Sequence, residues 1–270
     1  RGRSRSLPEA DVMERLHRLG RNGYREVVLT GIHLGVYGQD LDPPVDLGRL
    51  VKRVEADAPV ERIRLSSLEP LEADGLLTAI RGSRRLCPHL HIPLQSGDDA
   101  ILAAMNRHYD AAFFADLIRR LVAAIPDLAV GVDVLAGFPG EGAEAFHRTV
   151  ALLEALPVAY LHVFPYSRRP GTAAADLPGQ VPDGEKKRRC ELLRALGRRK
   201  RRAFAERFVG RTLSVLIEDK RDAATGLKRG FSENYIPVLV EAGADAPARR
   251  IVPVRVERAS EGRLFGRASS

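Results

Sequence analysis

The sequence predicts an α/β fold, a partial parallel barrel of strand–helix units followed by a small C-terminal β-barrel. Short apolar strands alternate with amphipathic helical segments over the first two thirds of the chain. This alternation is typical of a parallel sheet with helices outside it. Glycine or polar residues follow nearly every predicted strand. After residue 210 the pattern changes to short alternating strands separated by Gly, Asp and Pro turns, which indicates a small all-β barrel.

Five strands and six helices are predicted in the first part. The strands cover 26–31, 62–67, 90–93, 129–136 and 159–164. The helices cover 10–21, 47–56, 71–81, 111–124, 142–156 and a basic stretch at 186–202. The carboxyl ends of parallel barrel strands meet at one edge, so the polar loops that follow them should form one binding edge.

The segment 91–109, HIPLQSGDDAILAAMNRHY, is the most informative part of that edge. An apolar strand runs into Gln95, Ser96 and Gly97, and a short helix then ends near Arg107. Gly97 is expected to allow a sharp turn that presents Gln95 and Ser96 to a ligand. Similar polar endings follow the neighbouring strands, which favours a shared site over a set of unrelated helix starts.

A domain boundary is predicted near 206–210, which divides the chain into 1–206 and 207–270. Strands are predicted at 213–218, 235–240, 251–256 and 263–267. The segment 230–235, GFSENY, is interpreted as a link between strands. Small barrels often bind irregular RNA, so Phe231, Asn234 and Tyr235 are candidate RNA contacts. An alternative, at least as good for each, is that they are turn and core residues.

Composition limits the class of protein. Of 270 residues, 44% are hydrophobic, and no apolar run approaches the length of a membrane span. The two cysteines, Cys87 and Cys190, are far apart and lack partners at metal-ligand spacing, so we expect buried thiols and no protein metal site. A reducing, cytoplasmic setting fits this cysteine usage, and no signal peptide is recognisable.

The formal net charge is +8, and most of the basic residues are arginines. The stretch 186–202 holds ten basic residues, and Arg1, Arg3 and Arg5 form a second cluster. Basic runs of this kind are typical of polyanion binding, although a solvated helix face or a compositional preference for arginine also explains them. The candidate RNA-binding residues of the helix are Arg198, Arg199, Arg201 and Arg202.

Five motifs in fixed order carry a family resemblance. They are LTGIHLGVYGQDL, RIRLSSLEP, HLHIPLQSGDDAILAAMNRHY, DVLAGFPGE and HVFPYSRRPGT. Together they resemble the radical S-adenosylmethionine methylthiotransferases, and the C-terminal barrel resembles their TRAM domain. The motif sequences most resemble those of one branch of this family. That branch converts N6-threonylcarbamoyladenosine, beside the anticodon of tRNA, to its 2-methylthio form at C2. The resemblance thus implies a tRNA-modifying transferase with S-adenosylmethionine and two 4Fe-4S clusters in the full-length relatives.

The resemblance also implies roles for edge residues. A guanidinium fork suits a carboxylate, so Arg107 is expected to bind that group of S-adenosylmethionine. Gly137 and Gly140 are expected to let the backbone approach the adenine, and Tyr166 and Ser167 to close the adenine side. The full set of expected cofactor-binding residues is Thr30, Gly31, Ser66, Glu69, Gln95, Ser96, Arg107, Gly137, Gly140, Tyr166 and Ser167.

The sequence departs from the family in one respect. The family carries a Cys-x-x-x-Cys-x-x-Cys loop on the first barrel strand, and the chain resembles the segment just after it. We therefore expect a fragment that lacks the N-terminal domain, the cluster loop and the first strand, with neither bound cluster nor activity of its own. An exposed edge at the strand 26–31 is a further expectation.

Two other interpretations stay open. One is the branch of the family that modifies an aspartate of a ribosomal protein. The other is a non-catalytic RNA-binding module that kept the barrel and lost the clusters. The basic helix and barrel favour RNA over a protein substrate. The oligomeric state is not predicted.

Overall fold

The computed structural model of this protein describes residues 3–241 and 247–268, so Arg1 of the second basic cluster lies outside the described residues. The strands of the first part are β1 Glu26–Leu29, β2 Arg62–Leu65, β3 His89–His91, β4 Ala129–Ala136 and β5 Tyr160–Pro165. The helices are α1 Glu9–Arg21, α2 Leu47–Asp57, α3 Pro70–Gly82, α4 Asp99–Ala104, α5 Ala111–Ala124, α6 Ala143–Ala155, α7 Ala173–Asp176 and α8 Asp183–Glu206. Among these helices none combines the length and the apolar character needed to cross a bilayer.

The five strands are parallel and follow one another in chain order. β1 pairs with β2, and β3, β4 and β5 form a three-stranded sheet. An Ile63–Leu86 bridge and a 3.0 Å hydrogen bond from Leu68 N–H to the His91 carbonyl connect the two groups. The sheet is therefore an open part of a parallel barrel, which confirms the predicted fold class. In the described residues the second edge of β1 pairs with no strand, and Val28 on it is exposed.

Strand alternation gives the sheet two different faces. The outer face is apolar: Ile63, Ile92 and Val132 are fully buried in a core that includes Phe114 and Leu117 of α5. The inner face is polar. Its members on β2 to β5 are Arg62, Arg64, His89, His91, Asp133, Tyr160 and His162.

Helix α8 connects the two ends of the molecule. It packs along the edge strand β5, where Gly197 lies so close that a Cβ there would sit 3.2 Å from Leu161 Cβ. At its start the Lys186 side chain lies against Gly137, after β4. At its end the Arg201 side chain lies against Gly262 of the C-terminal barrel, and Phe204 joins the barrel's core.

The second part is a closed five-stranded barrel. Its strands are β6 Thr212–Arg221, β7 Lys228–Ser232, β8 Pro237–Glu241, β9 Ile251–Ser260 and β10 Arg263–Ala268, in the order β10-β8-β7-β6-β9. Its core, with Val215 and Val238 fully buried, is continuous with Ala129 and Ala159 at the starts of β4 and β5. The barrel therefore packs against the amino-terminal edge of the sheet, opposite the predicted binding edge.

One strand was not predicted. The sequence predicts that the segment 230–235 is a link between strands, yet its first three residues belong to β7. The charges of Lys228 and Arg229 and the small Gly230 hide the apolar alternation that marks the other strands. Gly230 is needed because a Cβ there would lie 2.6 Å from the Leu216 carbonyl oxygen on β6.

Gly230→Ala is expected to destabilise the protein by roughly 1–3 kcal/mol, because the new methyl group meets backbone that cannot rotate away. Gly75→Ala is the matched control. Gly75 lies exposed inside α3 with open space around its Cα, so alanine there should stabilise the protein by about 0.5–1 kcal/mol. Urea denaturation of both variants measures the two effects, and equal stability of Gly230→Ala and the parent would contradict this account of β7.

Candidate functional site

The candidate site is the carboxyl-terminal edge of the sheet, where a loop follows each strand. The expected ligand residues take these places: Thr30 and Gly31 after β1, Ser66 and Glu69 after β2, Gln95 and Ser96 after β3, Arg107 after α4, Gly137 and Gly140 after β4, and Tyr166 and Ser167 after β5. Thr30, Gly31 and Ser167 are exposed, while Ser96 and Tyr166 are buried.

Three side chains of this set carry a buried polar atom that lacks a hydrogen-bond partner among the described residues. These atoms are Ser66 Oγ, Arg107 Nε and Tyr166 Oη. Nearly all buried polar atoms in folded proteins have partners, and an unmet one costs about 1–3 kcal/mol. A polar ligand at this edge would satisfy such atoms, so they support a binding role for three different loops.

Glu69 and Arg107, expected to bind different parts of one ligand, lie together. Arg107 Nη1 is 3.0 Å from Glu69 Oε2 and 3.2 Å from Oε1. Glu69 is also the N-terminal cap of α3, where its backbone N–H donates to Glu72. Both side chains of the pair are about one third exposed. Arg107 is therefore already paired with a carboxylate, and a second carboxylate would have to share its fork with Glu69 or replace it.

The turn after β3 differs in detail from the expectation. Gln95, not Gly97, adopts the left-handed conformation, with φ 69°. Gly97 is required instead by close packing, since a Cβ there would lie 2.7 Å from Thr149 Cα. Ser96 is fully buried, with its hydroxyl 3.3 Å from Thr149 Oγ1. Gln95 is half-buried, and Ser96 connects the turn to Thr149 on α6.

A buried ion pair holds the glycine-containing loop after β4. Glu141 accepts hydrogen bonds from Gly137 N–H at 2.6 Å and from Arg189 Nη1 at 2.7 Å. The side chains of Glu141 and Arg189 are only 1% and 6% exposed. Burial raises the pKa of Glu141, against the opposing effect of Arg189. Gly140 continues the loop in a left-handed conformation and donates to the Gly179 carbonyl.

Tyr166 and Lys186 form the side of the edge next to β5. The Tyr166 ring packs edge-on against Phe138 with centroids 5.4 Å apart. Lys186 Nζ lies 5.5 Å from the Tyr166 ring centre. Its stem covers Gly137, so the first glycine approaches Lys186 rather than open space. The Lys186 side chain is only 12% exposed, and its Nζ also pairs with Asp183 at 3.1 Å.

Below the edge, the inner face holds a connected polar cluster. His89 Nε2 lies 2.7 Å from Tyr160 Oη, and His91 Nε2 lies 2.8 Å from Asp133 Oδ1. His162 Nδ1 is 3.5 Å from the same Asp133 oxygen. Burial lowers the pKa of His89 to about 3, with nearby Arg64 acting in the same direction. Burial also lowers the pKa of His162, so both imidazoles are neutral near pH 7.

The four expected RNA-binding arginines of α8 differ in their contacts. Arg199 pairs with Glu154 and Arg202 with Glu206, both at 2.8 Å. Arg201 lies over the Tyr160 ring, 5.4 Å from its centre. Arg198 is exposed and has no ion-pair partner in the described part of the chain. Arg189 of the same helix is buried. The basic run is therefore divided between structural and surface residues.

The three candidates of the barrel lie near the inner face of the sheet. Asn234 is buried and bonds to the Ser232 hydroxyl, so it holds its turn and does not face solvent. Phe231 stacks on Tyr235 with centroids 4.9 Å apart. Tyr235 also lies under the Arg64 guanidinium and beside the His89 ring. These contacts give Tyr235 a place in the domain interface, although 45% of its surface is exposed.

Neither cysteine offers a cluster ligand. Both are buried, and burial raises the pKa of Cys87 to about 12. Cys87 precedes β3 and Cys190 lies in α8, so the described residues hold no group of three or four cysteines of the kind that binds a 4Fe-4S cluster. An iron–sulfur cluster therefore finds no fitting ligand set in the described residues.

Sequence reasoning missed the groups that connect distant segments. The sequence places Glu141 in the motif DVLAGFPGE and Arg189 in the basic stretch 186–202. Neither pattern indicates that the two residues pair across 48 residues. The cluster of His91, Asp133 and His162 was also missed. Its signal was available, since each residue points to the same face of neighbouring strands.

Comparison with known proteins identifies the family of this chain. The family model for the Radical SAM superfamily matches residues 1–153. Two threonylcarbamoyladenosine tRNA methylthiotransferases MtaB are similar to this chain. The enzyme of Rickettsia prowazekii is 39% identical over 89% of this chain and 56% of its own length. The enzyme of Bacillus subtilis is 37% identical over 96% of this chain and 58% of its own length. The tRNA-2-methylthio-N(6)-dimethylallyladenosine synthase of Acetivibrio thermocellus is 33% identical over 98% and 55%. The chain thus spans somewhat more than half the length of these curated relatives.

Among solved structures, the coproporphyrinogen III oxidase HemN of Escherichia coli, a radical SAM enzyme, is similar in fold. It aligns with a TM-score of 0.50 and 17% identity, over 71% of this chain and 46% of its own length. This likeness supports the partial parallel barrel and says nothing about the reaction.

Glu141→Gln is expected to destabilise the protein by roughly 1–3 kcal/mol, because it removes one of the two carboxylates that pair with the buried Arg189 guanidinium and leaves Glu185, at 2.7 Å, as the other. The double variant Glu141→Gln/Arg189→Gln should lose clearly less than the sum of the single variants. Lys187→Gln, at an exposed position of the same helix without an ion-pair partner among the described residues, should leave stability nearly unchanged. Denaturant unfolding of the set gives the coupling, and additive losses would show that the pair does not act as a unit.

Proposed function

This chain belongs to the radical SAM superfamily, and we propose that it is part of a tRNA-modifying methylthiotransferase. The proposed reaction places a methylthio group on C2 of N6-threonylcarbamoyladenosine next to the anticodon. The observation that carries this proposal is the extent of the similarity. Relatives named for tRNA methylthiolation align with 89–98% of this chain, well beyond residue 153 and into the C-terminal barrel. The two threonylcarbamoyladenosine enzymes named above are 39% and 37% identical to this chain and the dimethylallyladenosine synthase is 33% identical, while other members of the two groups overlap at 35% and 36%.

We propose that S-adenosylmethionine binds at the carboxyl-terminal edge of the sheet. When bound beside a reduced 4Fe-4S cluster, this cofactor supplies the one-electron chemistry that activates C2, and a second cluster is the proposed sulfur source in the whole enzyme. The three unpartnered atoms of Ser66, Arg107 and Tyr166 support this placement. The cofactor's hydroxyl, amino and carboxylate groups match their hydrogen-bonding needs.

The other edge residues orient the ligand in this proposal. Gln95, held in the left-handed conformation, directs its amide to the edge. Glu69 accepts from the cofactor's amino group while Arg107 donates to the carboxylate, so that ligand binding extends the existing pair. Tyr166 covers the adenine face, and Thr30, Gly31, Gly137, Gly140 and Ser167 shape the remaining wall by backbone and small side chains. Ser96 acts by fixing the Gln95 turn. Exclusion of water is the protein's main contribution.

Helix α8 is the proposed path of the RNA. A helix of 24 residues is about 36 Å long, and α8 runs from the binding edge to the C-terminal barrel. Its exposed basic residues without ion-pair partners among the described residues are Lys187, Arg194, Arg198 and Arg201, the last of which lies over the Tyr160 ring. Arg199 and Arg202 lie beside them and can exchange their present carboxylate partners for phosphates. Phe231 and Tyr235 are proposed to add contacts at the barrel end. We place the enzyme in the cytoplasm, with tRNA as its partner.

A chimera tests the reaction. The part of the Bacillus subtilis relative that precedes the matched segment is joined to this chain and expressed in Bacillus subtilis lacking its own enzyme. We expect 2-methylthio-N6-threonylcarbamoyladenosine to return to tRNA, as measured by mass spectrometry of nucleosides. Modification of isopentenyladenosine or of a ribosomal-protein aspartate instead would assign the chain to another branch. A soluble chimera without any product would support the non-catalytic module.

Two serines provide a matched pair in that chimera. Ser66→Ala should lower product formation about tenfold or more, because it removes a hydroxyl that we assign to the cofactor, at about 1.4 kcal/mol per tenfold change. Ser67→Ala, at the exposed neighbouring position, should not change it. Equal activity of the two variants would remove Ser66 from the site.

Binding of tRNA should depend on salt through the arginines of α8. The variant with Arg198, Arg199, Arg201 and Arg202 changed to Ala should bind more weakly and flatten the slope of log affinity against log salt by roughly 0.7–0.9 per lost phosphate contact. A control with four exposed arginines of α1 and α2 changed to Ala, at positions 15, 18, 21 and 53, has the same net charge. If both variants lose affinity equally, α8 is only a solvated basic face.

A further inference from the structure

We propose that His91, Asp133 and His162 form a binding site for a divalent transition-metal ion on the inner face of the sheet. The three residues come from adjacent strands β3, β4 and β5. One ligand atom from each lies within 4.8 Å of the others. The proposal concerns a site separate from the cysteine-ligated clusters of the proposed function and does not depend on that function.

The distances suit a single ion. His91 Nε2 lies 2.8 Å and His162 Nδ1 3.5 Å from Asp133 Oδ1. Ligands about 2.0–2.2 Å from a tetrahedral Zn²⁺ are separated by roughly 3.4 Å. Movements of less than an ångström along side-chain torsions therefore open a site at the centre of the three atoms. The backbone register that sets Asp133 opposite His162 already fixes the strands.

The surroundings resemble a prepared site. His91 Nδ1 lies 3.5 Å from Tyr160 Oη, which in turn is 2.7 Å from His89 Nε2. A hydrogen bond on the far nitrogen of a ligating histidine fixes the ring and leaves the other nitrogen for the metal. Tyr160 itself is held in place, because Gly131 leaves room for its ring.

The ligand set selects the ion. Two imidazoles and one carboxylate favour Zn²⁺, Co²⁺ or Fe²⁺ over Mg²⁺ or Ca²⁺, which prefer oxygen ligands. With only three protein ligands, at least one coordination position stays available to water or to a substrate atom. The His91 and Asp133 side chains are 12% and 25% exposed and that of His162 is 49% exposed, so an ion can enter from the open side of the sheet. Arg64 and Arg201, near the cluster, oppose a cation and limit its affinity.

The experiment titrates the untagged 270-residue chain with Co²⁺ alone and follows its visible ligand-field bands, then displaces Co²⁺ with Zn²⁺. We expect one ion per chain. His91→Ala and His162→Ala should each weaken binding at least tenfold, and Tyr160→Phe should weaken it by a smaller factor. His147→Ala, at an exposed histidine on α6, should bind like the parent. Circular dichroism checks that each variant is folded.

The half-exposed His162 decides the outcome, because its replacement is the least disturbing to the fold. Unchanged Co²⁺ affinity in folded His162→Ala would overturn the proposal, and so would a parent chain without ligand-field bands at saturating Co²⁺. In either case the cluster is a hydrogen-bonded network only. Since neither S-adenosylmethionine nor tRNA is present in this titration, its result is independent of the methylthiotransferase tests.

Discussion

The packing of helix α8 along the edge strand β5 is the contact on which the rest of the molecule depends. Near its start Arg189 fixes the loop after β4 through the buried Glu141 carboxylate. Midway Leu193 and Leu196 join the main core, and Gly197 permits the close approach to β5. Near its end Phe204 joins the core of the C-terminal barrel. One helix therefore sets the shape of the binding edge and the position of the second domain.

The polar inner face follows from the same geometry. Among the described residues the helical core packs on the outer face of the sheet, and the residues of the opposite alternation carry charges and hydrogen bonds. Arg64 and His89 near the amino-terminal edge are covered by Tyr235 from the barrel. Asp133 and His162 lie further along the strands, nearer the open binding edge. The barrel thus closes one end of this space, and the strand-end loops surround the other.

Much of the architecture could be predicted because the periodicity of apolar residues along the sequence indicates the helices and strands. The helix at 111–124 and the strand at 129–136 have the predicted bounds, since Asp110 caps the helix and a mainly apolar run with Asp133 inside it marks the strand. Strand β7 is not predicted because Gly230 and its charged neighbours break the apolar alternation. The reason for the glycine is the close packing of β7 on β6, which depends on the folded barrel. For the site, Ser66, Gln95 and Tyr166 follow β2, β3 and β5 in the structure, and their roles in binding stay predictions. Sequence could not show that Glu69 pairs with Arg107, that Ser96 turns inward, or that Asn234 is buried, because each depends on a partner far along the chain.

The length of helix α8 also sets the distance between the binding edge of the sheet and the C-terminal barrel. Each inserted residue would advance everything beyond it by about 1.5 Å and rotate it by about 100°, which would carry the barrel away from the sheet. Even a seven-residue insertion, which nearly restores the rotation, would displace the barrel by roughly 10 Å. Surface loops such as 222–227 can vary in length with no such effect. In evolutionary terms, the length of α8 should be among the least variable properties of this protein, even where the identities of its exposed residues change freely.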